Sequence, residues 1–127
     1  MREAVFQVCF ALSQGAEDVL PLISKELKIS KTDAKRAFER SQLVMAKVSD
    51  LDQLIEQTAT DYSLGRIPQA ELTILRLGAF ELLFDDSIPS KVAISEAVRL
   101  CRKFATKESA SFINAVLDAH FSEKSTA

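Results

Sequence analysis

The sequence is poor in residues that interrupt helices and in residues that build catalytic or metal sites. It has three glycines, three prolines, two cysteines and one histidine in 127 residues, and it has no tryptophan. The scarcity of glycine and proline favours long helices, because both residues are unfavourable inside them. Cys9 and Cys101 lie in apolar, periodic segments and lack the spacing of metal ligands. We therefore expect reduced core thiols, with a disulfide as the minor alternative.

The usual signatures of enzymes are also missing. The single histidine, His120, lies near the end of the last predicted helix and has no neighbouring nucleophile with which to form a triad. No glycine-rich phosphate loop is present. The acidic pair Asp85-Asp86 is more typical of a solvated helix end than of a metal site. The sequence therefore predicts a protein that is not an enzyme and that has no metal ion or other cofactor.

The charge balance limits the kinds of partner that the chain can bind. Sixteen basic residues stand against eighteen acidic ones, which gives a net charge of −2 and a pI of about 5.4. A protein that coats nucleic acid by bulk attraction is more basic, although a local basic patch remains possible. The N-terminal residues lack the apolar region and cleavage site of a secretory peptide, and no segment is apolar enough to span a membrane. We expect a cytoplasmic protein that does not bind membranes.

Apolar residues recur with helical spacing along almost the whole chain. The pattern predicts a compact bundle of six or seven helices in one domain, residues 1–127, with an N-terminal half at about 2–62 and a C-terminal half at about 66–121. Leu43 and Val92 fall on the apolar sides of their helices. Expected N-terminal signals are Ser30, Ser49 or Asp50, Pro68, Pro89 and Thr106. The predicted helices are 2–14, 17–28, 31–47, 51–62, 68–84, 89–104 and 107–121.

The run from Pro68 to Phe84 is the centre of this prediction. Its apolar residues cover most of the helix circumference, so other helices should surround it. Its charged residues, Glu71, Arg76 and Glu81, have no opposite charge three or four positions away on the same helix. Each one needs a partner elsewhere in the fold or a ligand, and Arg76 suits either a phosphate or a tertiary carboxylate.

Two groups of basic residues are candidates for phosphate contacts. Arg99, Arg102 and Lys103 share one helical face and Lys107 follows them, although a solvated face would explain the same pattern. A second basic stretch is more simply interpreted as a solvated face: Lys25, Lys28, Lys31, Lys35, Arg36 and Arg40. Phe10, Phe104 and Phe112 lie near the edges of apolar stripes. Each could pack in the core or stack on an exposed base.

Several blocks of the C-terminal half resemble the NusB family of bacterial transcription antitermination factors. Residues 70–82 (AELTILRLGAFEL) are similar to the family's "ILRLAAYELLF" block, and residues 88–98 (IPSKVAISEAV) to its "VPYKVAINEAV" block. Lys103-Phe104 and residues 109–118 (SASFINAVLD) follow in the same order and at the same spacing as in the family. Residues 51–55 (LDQLI) and the opening helix add weaker similarity, so the resemblance extends over residues 2–121.

This resemblance implies an all-α fold of two packed helical halves and a function in the bacterial cytoplasm. Such proteins bind the boxA segment of ribosomal-RNA leader transcripts. The small-subunit ribosomal protein NusE strengthens that binding, and other Nus factors and RNA polymerase complete the assembly. No reaction is catalysed. By position, the resemblance assigns RNA contacts to Arg2, Gln7, Phe10, Arg76, Phe104, Glu108, Phe112 and Asn114.

The chain departs from the family pattern at several of these positions. The arginine-rich arm that usually precedes the first helix is reduced to Arg2. Ser90 and Phe80 stand where the family has tyrosine, Glu108 where it has aspartate, and Ala110 where it has histidine. Because salt-dependent affinity grows with the number of phosphates contacted, we expect weak intrinsic RNA binding and strong dependence on NusE.

Two other interpretations keep the same fold. In one, the protein is a helical interaction module that binds NusE-like protein with little direct RNA contact. In the other, the chain resembles the N-terminal domain found in some RNA cytosine methyltransferases, which would require a catalytic domain downstream. The sequence is compatible with either a monomer or a dimer.

Overall fold

The computed structural model describes residues 1–15, 25, 28–59 and 64–126, with the side chains described as far as residue 119. Within these residues every regular element is helical, which confirms the all-α class. No helix of this described part is both long and apolar enough to cross a bilayer. The elements are α1 (Arg2–Ser13), α2 (Lys31–Ala46), α3 (Val48–Thr58), a 3-10 turn (Leu64–Arg66), α4 (Gln69–Phe84), α5 (Ser90–Phe104) and α6 (Lys107–Thr126).

Most predicted helix boundaries are confirmed to within one residue. The predicted helix 17–28 lies almost wholly outside the described residues. Ser30 caps α2, since its hydroxyl oxygen accepts a hydrogen bond from the Asp33 N–H at 3.0 Å. Pro68 and Pro89 occupy the N-cap positions of α4 and α5, one residue before the first helical position. Their carbonyl oxygens accept the first helical hydrogen bonds, from the amides of Leu72 and Ala93.

Three predicted boundaries were wrong, and one of them is the end of α3, which lies at Thr58 and not at residue 62. Helix α3 begins at Val48 and not at residue 51, so Ser49 and Asp50 lie in its first turn. A carboxylate in that turn interacts favourably with the partial positive charge of the helix N-terminus. Helix α6 continues to Thr126, five residues beyond the predicted end, and the sequence there contains no glycine or proline that would stop it.

The described residues form two compact units, Met1–Lys47 and Val48–Ala127. In the first unit, α1 packs on α2, with Val8 and Cys9 buried on one helix and Ala37 and Val44 on the other. The buried Ser41 hydroxyl lies 2.7 Å from the Ala37 carbonyl oxygen of its own helix and 3.3 Å from the carbonyl oxygen of Val5 in α1. This hydroxyl therefore joins the two helices without leaving a buried polar group unsatisfied.

In the second unit, α4 is surrounded by α3, α5 and α6, as the sequence predicted. Most of its residues from Leu72 to Leu82 are buried, including the carboxyl-bearing Glu81. Gly78 lies on α4 at a position that faces both α5 and α6. A Cβ atom added there would be 2.8 Å from Leu117 Cδ1 and 3.4 Å from Ala97 Cβ.

Two residues predicted to face inward are exposed instead. Leu43 is 56% exposed and Val92 is 41% exposed. Each directly precedes a buried residue of its helix, Val44 or Ala93. Successive side chains on a helix point about 100° apart. The side chain that precedes a buried residue can therefore lie outside the buried stripe, as Leu43 and Val92 do.

Candidate nucleic-acid interface

Three predicted RNA contacts lie on α1 within the first unit. Arg2, Gln7 and Phe10 are each partly exposed. The spacing of about 100° per residue puts Gln7 and Phe10 on the side of α1 opposite its buried stripe, whereas Arg2 lies nearer the buried side, about 80° from Phe10 around the helix axis. The Phe10 ring stacks on the buried Phe6 ring, with 6.0 Å between centroids and 21° between planes. Phe6 thus supports one face of Phe10 and limits how far the ring can turn.

Other predicted contacts lie in the second unit, at a depression of about 300 Å³ beside the first turns of α6. Glu108 and Phe112 stand one helical turn apart there, so the structure brings these two predicted residues together. Sequence reasoning did not assign Arg66 or Glu71 to this site, although the position of Arg66 two residues before the helix-starting Pro68 could have marked it. The lining residues are Arg66, Ile67, Pro68, Glu71, Thr106, Glu108, Ser109 and Phe112.

A hydrogen-bonded N-cap fixes the start of α6, and Glu108 and Phe112 lie in the first turns of this helix. The Ser109 amide donates to Thr106 Oγ1 at 3.1 Å, and the Thr106 amide donates to Ser109 Oγ at 3.2 Å. This reciprocal arrangement confirms Thr106 as an N-cap and resembles a capping box. The buried Cys101 thiol lies 3.0 Å from Ser109 Oγ and 3.4 Å from the Thr106 carbonyl oxygen, which connects the cap to α5.

A second depression lies between α5 and α6 and holds a different subset of the predicted residues. Arg99, Arg102 and Asn114 line it together with Ser95 and Val98. Arg99 Nε donates to Glu96 Oε2, so part of its charge is balanced, while Arg102 is exposed. The predicted phosphate contacts Lys103 and Lys107 are exposed on the same two helices.

The structure does not bring Phe112 and Asn114 together. They are two positions apart on α6, which corresponds to about 160° around the helix axis. Phe112 lines the first depression and Asn114 lines the second. A nucleic acid that touched both would have to cross α6, so these residues belong to two separate surfaces of the unit.

Arg76 and Phe104 have protein partners within the second unit. Arg76 Nε and Nη2 donate to the two carboxylate oxygens of Asp52 on α3, at 2.8 Å and 3.0 Å. Of the two predicted partners for Arg76, a phosphate or a tertiary carboxylate, the fold supplies the carboxylate. Phe104 is partly exposed at the end of α5, and Lys103 Nζ lies 5.6 Å from the centroid of its ring.

The chemistry of the first depression suits base edges better than phosphates. Glu71 and Glu108 offer carboxylate oxygens that can accept hydrogen bonds from base amino groups, and they would repel phosphate. Phe112 is partly exposed and could stack on an unpaired base. Arg66 is the only cation in the lining. Across the described residues no cluster of three His, Cys, Asp or Glu side chains could hold a metal ion.

Comparison with known proteins identifies the family to which the chain is similar. The sequence model of the NusB family matches residues 1–121. The chain is 36% identical over 122 residues to the transcription antitermination protein NusB of Clostridium perfringens, covering 92% of this chain and 90% of that protein. It is 37% identical over 122 residues to the protein of the same name from Streptomyces avermitilis, covering 91% and 85%.

Two solved structures share the fold. A chain in a crystal structure of a plectonemic RNA supercoil aligns with a TM-score of 0.87 at 25% identity, over 99% of this chain and 94% of that one. T. maritima NusB aligns with a TM-score of 0.77 at 29% identity, over 93% and 85%. The family match, over residues 1–121, extends over both compact units.

Proposed function

This chain belongs to the NusB family, and we propose that it is a non-enzymatic transcription antitermination factor. It binds boxA-type single-stranded RNA of ribosomal-RNA leader transcripts together with ribosomal protein NusE. Through this complex it joins the other Nus factors on RNA polymerase in the bacterial cytoplasm. The names of its relatives support the antitermination role. The pairing of Phe112 with Glu108 in one depression is the observation that carries the RNA-binding role.

The predicted contact residues in the two units suggest different roles in RNA binding. In the second unit, Phe112 stacks on an unpaired base while Glu108 accepts hydrogen bonds from base amino groups. In the first unit, Phe10 provides a second ring, Gln7 contributes an amide, and Arg2 meets the backbone. Base contacts give sequence preference, whereas cationic contacts position the strand. A second RNA surface along α5 and α6 consists of Phe104, Asn114, Arg99, Arg102, Lys103 and Lys107.

Dependence on NusE follows from the small number of cations near these rings. Arg2 is the only lysine or arginine among the first 24 residues, and Arg66 is the only cation lining the Phe112 depression. Few phosphate contacts mean a small gain from counterion release. A partner that contributes its own RNA contacts therefore raises the affinity substantially.

A titration of labelled boxA RNA with the full chain tests this function, with a scrambled RNA as control and with NusE absent or present. We expect weak binding by the chain alone, a preference for boxA over the scrambled RNA, and at least tenfold tighter binding with NusE. Equal binding to both RNAs would overturn the boxA assignment. Tight boxA binding without NusE would overturn the dependence on that partner.

The ion pair of Arg76 with Asp52 favours a second candidate function, a module that binds NusE-like protein and has little direct RNA contact. The Arg76 guanidinium already donates two hydrogen bonds to the Asp52 carboxylate, so it has fewer N–H groups left for a phosphate. Arg2→Ala and Phe112→Leu separate the two candidates. If both variants bind NusE normally and RNA binding to the NusE complex is also unchanged, the interaction module is the better description.

A further inference from the structure

We propose that the exposed basic face of α2, formed by Lys31, Lys35 and Arg36, is a second RNA contact that binds the phosphodiester backbone without regard to sequence. The inference rests on the proposed function, because the strand it holds is the RNA flanking the boxA-type segment. It adds a surface in the first unit that the family resemblance did not assign. It also gives a role to a basic stretch for which solvation is the simpler explanation.

The three cations are exposed, and no carboxylate of the described residues forms an ion pair with them. All lie outside the buried stripe of α2, which consists of Ala34, Ala37, Ser41 and Val44. Glu39 shares the exposed face one turn after Lys35, yet it pairs with neither Lys35 nor Arg36. Among the described residues, no carboxylate therefore competes with a ligand for these three cations.

The position of these cations does not serve the stability of the helix. Lys31 lies in the first turn of α2, where the helix carries a partial positive charge and a cation costs a few tenths of a kcal/mol. Lys35 and Arg36 follow in the second turn, far from the C-terminal end where a cation would stabilise the helix. Arg102 and Lys103 lie instead in the last turn of α5, where a cation stabilises the helix whether or not a ligand binds. An anionic partner is therefore a better explanation for the α2 cations than for those of α5.

The charge distribution along the sequence points the same way. Residues 25–47 contain seven lysines or arginines and three acidic residues, whereas the rest of the chain contains nine basic and fifteen acidic residues. A basic segment within an acidic chain concentrates attraction for polyanions on one surface. The lysine chains are flexible and carry no flat recognition surface, so they suit a phosphate backbone better than base edges. Phosphate binding by these side chains also leaves the N-cap intact, since Ser30 already satisfies the Asp33 amide.

The test compares two RNAs, a minimal boxA segment and the same segment extended by about twelve unrelated nucleotides on each side. The full chain and its NusE complex are titrated with both RNAs at several salt concentrations. We expect the extension to tighten binding several-fold for the native chain. In the triple variant Lys31→Gln, Lys35→Gln, Arg36→Gln this gain disappears, while affinity for the minimal RNA is unchanged. The slope of log affinity against log salt for the extended RNA should become shallower by about two, at ~0.7 for each phosphate that is no longer neutralised.

Lys91→Gln is the matched control, because Lys91 is exposed, lies in the first turn of α5 and has no neighbouring cation on its helix face. It removes the same kind of charge from an equivalent helix position and should leave the gain from the extension nearly intact. The triple variant should melt at the same temperature as the native chain or slightly higher. A lower melting temperature would indicate a structural role for these cations and would contradict the proposal.

The outcomes separate this inference from the proposed function. If the native chain prefers boxA but the extension adds no affinity, or the triple variant keeps the whole gain, the α2 surface is not an RNA contact. Loss of NusE binding by the triple variant, with unchanged RNA binding, would assign the surface to a protein partner and overturn the proposal. If boxA is not preferred but extended RNA still binds through α2, the proposed function fails while the inference holds.

Discussion

Arg76 and Asp52 form a two-point ion pair that joins α4 to α3, with both donor–acceptor distances between 2.8 and 3.0 Å. The side chains are only 14% and 23% exposed, so water screens the pair weakly. The planar guanidinium matches both carboxylate oxygens at once, which a lysine could not do. This geometry identifies Arg76 as a group that holds two helices together in the second unit.

We expect Arg76→Ala to lower the free energy of unfolding by about 1–2 kcal/mol, because it leaves Asp52 partly buried without its partner. Arg76→Lys should cost roughly half as much, since it keeps the charge but loses the two-point geometry. Urea unfolding of both variants, and of Asp52→Asn alone and combined, would give the coupling energy. The exposed Arg102→Ala is the control and should change stability by less than about 0.5 kcal/mol. An Arg76→Ala protein with native stability and weakened RNA binding would instead support the predicted RNA contact.

Phe112→Leu should weaken binding of boxA RNA about tenfold while largely preserving stability. Leucine fills much of the same apolar volume, but it has no flat π-face on which a base can stack, and such stacking contributes about 1–3 kcal/mol per base. Fluorescence anisotropy with the NusE complex measures the change. Phe84→Leu is the matched control, since Phe84 is an exposed aromatic, 44% accessible, that lies outside the predicted site. Equal effects of the two substitutions would show that stacking on Phe112 is not part of recognition.

Gly78→Val should lower the free energy of unfolding by about 2–3 kcal/mol, because its methyl groups would overlap the space held by Leu117 and Ala97. The free energy of unfolding of Gly78→Ala should lie within about 1 kcal/mol of the native value. Its single methyl requires the end of the Leu117 side chain to shift, while alanine gains ~1 kcal/mol of helix propensity over glycine. Thermal unfolding followed by circular dichroism measures both variants. A valine variant as stable as the alanine variant would mean that the helices can separate slightly at this crossing without cost.

The fold was largely predictable because hydrophobic periodicity and local caps depend on residues close together in the sequence. Ser30 and Thr106 illustrate this, since each bonds to a residue three positions ahead. Predictions failed where the deciding residues were at the edge of a pattern. Leu43 and Val92 are apolar and adjacent to buried stripes, and only the packing of other helices decides that they face solvent.

The candidate site was less predictable than the fold because it depends on pairs distant in sequence. The sequence showed that Arg76 needed a partner, but nothing local identified Asp52, which is 24 positions away. The family resemblance placed Phe112 and Asn114 in one set of RNA contacts, and the helical period separates them onto opposite flanks of α6. Arg66 belongs to the site only because the fold brings the 3-10 turn beside the start of α6, which the local sequence does not reveal. The RNA contacts themselves stay predictions.

Both cysteines are buried and outside any disulfide, Cys9 in the first compact unit and Cys101 in the second. A thiol reagent such as a maleimide reaches either sulfur only when the surrounding helices open. The chain thus carries a natural chemical reporter in each unit, without any introduced label. Rates of alkylation at the two positions would reveal whether the units open independently or in one concerted event, and which of them a bound partner protects.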